Sequence, residues 1–191
     1  WAFRNDLRAE GSLGLGAIVG LSAVGGLIGA LLLIITPGEN FVGIIPWLLL
    51  LATVSFAFGP RVLNATRARG GGTPGAVWSA IGITAVATYG GYFNGGLGIM
   101  LLAVFGVMGF VHLTGMNGLK NLMSTMISIV AALALTLAGL IAWKSALVLA
   151  IATTAGGYFG ATYARKITNL RLLRAGIVGV GLIMTVLFFI K

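Results

Sequence analysis

An all-α, polytopic membrane fold is predicted, and three observations predict it. Of the 191 residues, 59% are hydrophobic and 8% charged, with a mean hydropathy of +1.08. A soluble domain carries about 25% charge. Apolar windows of about 20 residues, the length of a helix that crosses a bilayer, recur along the whole chain. The net charge of +9 would point to nucleic acid in a soluble protein. Here it fits basic loops on the cytoplasmic side of a membrane, so the bilayer is the expected partner and nucleic acid is not. There is no cysteine, which excludes disulfides and any metal site or nucleophile built on a thiolate.

The start, Trp1 to Gly11, reads WAFRNDLRAEG and has no initiator Met. It is not a signal peptide, because its charges follow an aromatic start and no cleavage site closes a short apolar core. Span one is expected over residues 13–35 and ends at Thr36-Pro37-Gly38, a helix stop. Span two, residues 41–58, has Pro46 near its start, where a missing N–H does little harm. Gly59-Pro60 closes it, and residues 61–75 read as a basic cytoplasmic loop with the run Gly70-Gly71-Gly72-Thr73-Pro74. Span three is expected over residues 76–93 and span four over 97–113, joined by Asn94-Gly95-Gly96. Spans five, six and seven follow over residues 119–142, 146–164 and 170–190. Trp47, Trp78 and Trp143 lie near span ends and read as interface anchors.

With seven spans and the 61–75 loop inside, ten of the twelve Lys and Arg fall inside: Arg4, Arg8, Arg61, Arg67, Arg69, Lys120, Arg165, Lys166, Arg171 and Arg174. Lys144 and Lys191 fall outside. That is a strong positive-inside bias. Making span four a re-entrant loop instead would carry the Arg165–Arg174 cluster outside and is disfavoured. Gly25-Gly26-Leu27-Ile28-Gly29-Ala30 in span one matches Gly156-Gly157-Tyr158-Phe159-Gly160-Ala161 in span six. The sidedness makes these spans run in opposite directions, an inverted repeat of the kind found in secondary carriers. Residues 1–191 are then one membrane domain. Residues 1–60 hold the last two spans of a first repeat, and residues 76–191 a complete second one. An earlier segment with a second Gly-rich stretch is expected.

The central stretch is Tyr89 to Leu102, YGGYFNGGLGIMLL, with Gly90, Gly91, Gly95, Gly96 and Gly98 around Asn94. Each glycine costs a helix about 1 kcal/mol relative to alanine. Two uses offset this: close helix approach, as in Gly91-xxx-Gly95, or a helix break that turns bare N–H groups into a cavity. Asn94, which packing does not need, favours the break. A helix N-terminus carries about half a positive charge and unpaired donors. Gly91, Asn94, Gly95, Gly96 and Gly98 are therefore candidate binding residues for a small anion. A second set, Asn117, Lys120, Asn121, Ser124 and Thr125, is expected at the opening of span five, with Lys120, Met123 and Ser124 on one face. Lysine inside a bilayer costs about 2.5–3.5 kcal/mol on insertion scales and marks function; the bland alternative is a lysine that snorkels to the interface.

Nothing in the sequence points to catalysis, a cofactor or a metal. His112 is the only histidine, placed at a span end, and Asp6, Glu10 and Glu39 all lie outside the spans. No HExxH and no Met/His cluster is present. A permease for small anions is the first reading. A cation or metal permease and a non-transporting membrane subunit are the alternatives; an intramembrane enzyme lacks a nucleophile with a base.

Three stretches in order, YGGYFNGGLGIMLLAVFG, MNGLKNLMSTMISIVAAL and AGGYFGATYARKITNLRLLRAGIVGVGL, resemble the TauE/SafE sulfite exporter family of membrane permeases. The resemblance covers nearly all of residues 76–191, and residues 13–58 look like the later part of the family's first half. It implies a multi-pass protein of the bacterial inner membrane that exports sulfite, organosulfonates or related carboxylates. The first-half Gly motif is absent, and Asn94 stands where the family commonly has a small residue.

Overall fold

In a computed structural model, residues 13–68, 75–110, 112–164 and 170–190 are described. Seven helices follow in order: α1 (Leu15–Ile35), α2 (Gly38–Ala68), α3 (Ala76–Tyr92), α4 (Leu97–Val107), α5 (Leu113–Leu137), α6 (Trp143–Ala164) and α7 (Leu170–Ile190). No strand occurs among the described residues. Leu15–Ile35, Gly38–Gly59 and Gly115–Leu137 are each long and apolar enough to cross a bilayer. The chain is an all-α, multi-pass membrane protein.

The expected stop after span one is real. Pro37 pushes Thr36 out of helical geometry, to φ −80°, ψ 118°. The Thr36 hydroxyl donates to the Leu32 carbonyl at 2.6 Å. α2 then restarts at once, with Phe41 N–H donating to the Pro37 carbonyl at 2.9 Å and Glu39 in its first turn, where a carboxylate suits the positive end of the helix. α2 does not stop at Gly59-Pro60. It runs on to Ala68, so residues 61–68, read as loop, are helical. Pro60 removes one helix hydrogen bond there without ending the helix. The Gly70–Pro74 run lies outside the described residues, as do the charged start of the chain and the Arg165–Lys166 pair.

The expected span four is divided. α4 has only 11 residues, about 16 Å, half of a hydrocarbon core. Gly109 (φ 84°) ends it. Its N–H donates to the Gly106 carbonyl at 3.2 Å, and that of Phe110 to Phe105 at 3.0 Å. This is a left-handed glycine C-cap closed by an apolar contact, here the Phe105 and Phe110 rings at 5.2 Å. α5 therefore begins at Leu113, not near Leu119.

The core lies among α1, α3, α4 and α5. Ile18, Ile83, Ala87, Leu101, Phe105, Met116, Met123 and Ile127 are fully buried in it. Small residues set the α1–α3 crossing. A Cβ on Gly25 would stand 2.6 Å from Ala87 Cβ and 2.8 Å from the Thr84 carbonyl, and one on Gly91 would enter the Gly26 backbone. Such backbone-to-backbone approach is how membrane helices gain packing without a hydrophobic drive. α2 packs on α4 and α7. α6 differs from α1, whose glycine motif it shares. Its residues 147–160 are exposed, and Gly156, Gly157 and Gly160 have open space where a Cβ would go.

Candidate functional site: the α3–α4 turn and the α5 face beside it

The break falls where the glycines and Asn94 predict it. Asn94 has φ 63° and Gly96 φ 72°. Asparagine is among the few L-residues that visit this left-handed region, because its short amide can bond locally. Asn94 thus has a backbone role as well as an amide. The Tyr89 hydroxyl holds the turn by donating to the Gly95 carbonyl at 2.6 Å. The same oxygen is 3.5 Å from the Leu48 carbonyl of α2, so the turn is tied near the middle of that helix. Gly96 caps α4 with no side chain, and a Cβ there would lie 3.3 Å from Ala52 Cα.

At the start of α4, the N–H groups of Ile99 and Met100 share the Gly96 carbonyl at 3.0 and 3.3 Å. Those of Gly96 and Gly98 find no backbone acceptor among the described residues. They are the donors that a helix start leaves over. Lys120 lies beside Gly98: a Cβ there would be 3.3 Å from Lys120 Cδ. The glycine makes room for the lysine stem. On the other side, the Asn94 amide reaches the Ser128 hydroxyl at 3.5 Å.

Ser128 was not singled out from the sequence. Its signal was present, because Lys120, Ser124 and Ser128 follow at four-residue steps and share one face of α5. Ser124, Thr125, Ser128, Ile129 and Ala132 line an open groove of about 400 Å³. The Thr125 hydroxyl donates to the Asn121 carbonyl at 2.9 Å, which leaves Thr125 as an acceptor only toward the groove.

The structure thus brings together Asn94, Gly95, Gly96, Gly98, Lys120, Ser124 and Thr125, and adds Ser128. Gly91 is not on this side; it is buried against Gly26 of α1 and serves packing. Asn117 and Gly118 sit one turn inside α5, so they do not open a helix, and their N–H groups are not free donors of that kind. Asn121 is exposed on α5. His112 is the N-cap of α5.

The depth of the turn can be read from its neighbours. α3 ends where a Cβ on Gly29 would stand 2.7 Å from Tyr92 N. Gly29 precedes the α1 terminus, Ile35, by about 9 Å of helix. Ile127 meets Gly26, close to the centre of α1, which puts Ser128 and Asn94 at that level too. Among the described residues no group of three His, Cys, Asp or Glu could hold a metal ion.

Compared with protein families, residues 1–188 match the model described as sulfite exporter TauE/SafE. No curated protein and no solved structure matches the chain. With nearly its full length matched, the chain belongs to the sulfite exporter TauE/SafE family.

Proposed function

We propose that this membrane permease exports a small anion, such as sulfite, an organosulfonate or a small carboxylate, and that the anion rests at the start of α4. One observation carries the reading: a half-length helix starts at Gly96, the N–H groups of Gly96 and Gly98 find no backbone acceptor among the described residues, and the stem of Lys120 lies against Gly98. Broken helices whose positive ends face an anion at mid-membrane are a recurrent carrier device. The helix end supplies about half a charge and Lys120 a full one. Together they offset the desolvation of an anion that has shed water. The amide of Asn94 and the hydroxyls of Ser124 and Ser128 add neutral donors, which hold an anion without trapping it.

Lys120 lies seven residues before Ile127, about 10 Å along the helix from mid-membrane and about 5 Å inside the hydrocarbon edge. Its stem lies against Gly98 at the start of α4, which favours the pathway role over a snorkelling one. The lack of an acidic cluster among the described residues disfavours a cation permease. We assign residues 61–75 and the Arg165–Arg174 stretch to the cytoplasmic side, in a bacterial inner membrane. α3 and α4 form one hairpin that enters from that side and returns to it.

Uptake of labelled sulfite into proteoliposomes tests this. Lys120→Met keeps the stem and deletes the charge. Affinity should fall by about 1–3 kcal/mol, the range for a charge-assisted hydrogen bond, with expression and melting unchanged. Equal sulfite affinity in wild type and Lys120→Met removes Lys120 from the site.

A further inference from the structure

We infer that the cleft between α2, α3 and α4 binds one anionic phospholipid, with an acyl chain inside it and the phosphate at Arg61. The cleft measures about 330 Å³. Val54, Ser55 and Phe58 of α2, Val86 of α3, and Met100 and Val104 of α4 are among its walls. Ser55 is the only polar side chain there among the described residues, so the occupant is a hydrocarbon. The cleft shares no residue with the anion site at Lys120.

The charge comes from one end. The Arg61 guanidinium carbon lies 5.5 Å from the centroid of the Phe58 ring, and that ring is a wall of the cleft. Arg61 is exposed and stands two residues past the end of the apolar stretch Gly38–Gly59, the position of an interfacial residue. The only acidic residue described, Glu39, opens α2 at its opposite end. Among the described residues no carboxylate stands at this end, and an exposed guanidinium suits a phosphate, which it can hold through two parallel N–H bonds. A chain in the cleft and a phosphate on Arg61 belong to one lipid molecule. A free phosphate uses the arginine alone and a zwitterionic lipid gains less from it.

The test uses the full chain in mixed micelles, with bound lipid counted by native mass spectrometry. Wild type should retain phosphatidylglycerol over phosphatidylcholine by roughly five-fold, the worth of one basic residue near a membrane surface. Arg61→Gln should abolish that preference. Ala103→Phe, which fills the cleft from another of its walls, should lose the retained lipid at unchanged melting temperature; Ala103→Leu replaces it where the larger ring impairs folding. Glycerol 3-phosphate should not displace the lipid. Equal retention of the two lipids by wild type overturns the inference. So does a preference that survives both Arg61→Gln and the filled cleft, or displacement by glycerol 3-phosphate.

Discussion

Removing one oxygen atom from Tyr89 should loosen the turn that starts α4. Tyr89→Phe keeps the edge contact with Phe93, whose ring centroid is 6.2 Å away. It deletes only the 2.6 Å hydrogen bond to the Gly95 carbonyl. A buried carbonyl left without its donor costs about 1–3 kcal/mol. Both residues are half-buried, so some water reaches the site and the lower half of that range applies. The Leu48 carbonyl, in mid-helix, keeps its helix donor and adds little. The cost falls on the conformation that aims the Gly96 and Gly98 N–H groups. Sulfite should therefore bind about 5- to 30-fold more weakly, since 1.4 kcal/mol is a factor of ten. Calorimetric titration of sulfite, with thermal melting measured in parallel, reads both effects. Wild-type affinity together with wild-type melting in Tyr89→Phe would refute the idea that this hydroxyl organises the site.

Three further outcomes are expected. Gly91→Val drives a side chain into the Gly26 backbone and should cost about 1–3 kcal/mol by overpacking; a melting temperature equal to wild type would show that α1 and α3 can part without loss. Asn94→Gly preserves the φ of 63° and should melt like wild type, yet bind sulfite about 2- to 10-fold more weakly for one lost hydrogen bond; unchanged affinity would leave Asn94 as a turn residue alone. Cysteines at Glu39 and Arg67 should react with impermeant reagents from opposite sides of the membrane, and reaction from the same side would invert our account of sidedness.

Composition and apolar windows made the helical membrane fold legible, because a bilayer permits few alternatives. The turn at Asn94-Gly95-Gly96 was legible for a similar reason: few other residues accept a left-handed backbone. The sequence also pointed to Lys120 and Ser124 as one face. It did not show that Gly91 and Gly98 have different jobs. Both are glycines in one run, and only the neighbours, Gly26 for one and Lys120 for the other, tell packing from access. The length of span four was misread because hydropathy is blind to a break at Met108-Gly109-Phe110. These residues are as apolar as the helices beside them, and the stop is in the φ of Gly109. The apolar stretch of span two does end at Gly59, but the helix runs on to Ala68, since Pro60 weakens a helix while neighbouring turns still carry it.

The eleven-residue length of α4 also bears on biogenesis. A segment that short cannot partition into the bilayer as an independent unit, because about 20 apolar residues are needed to cross. α4 must enter together with α3, joined to it by the four residues 93–96. Such a paired entry adds no net crossing. On the sidedness proposed above, the orientation of everything after Leu113 does not depend on how deep the pair goes.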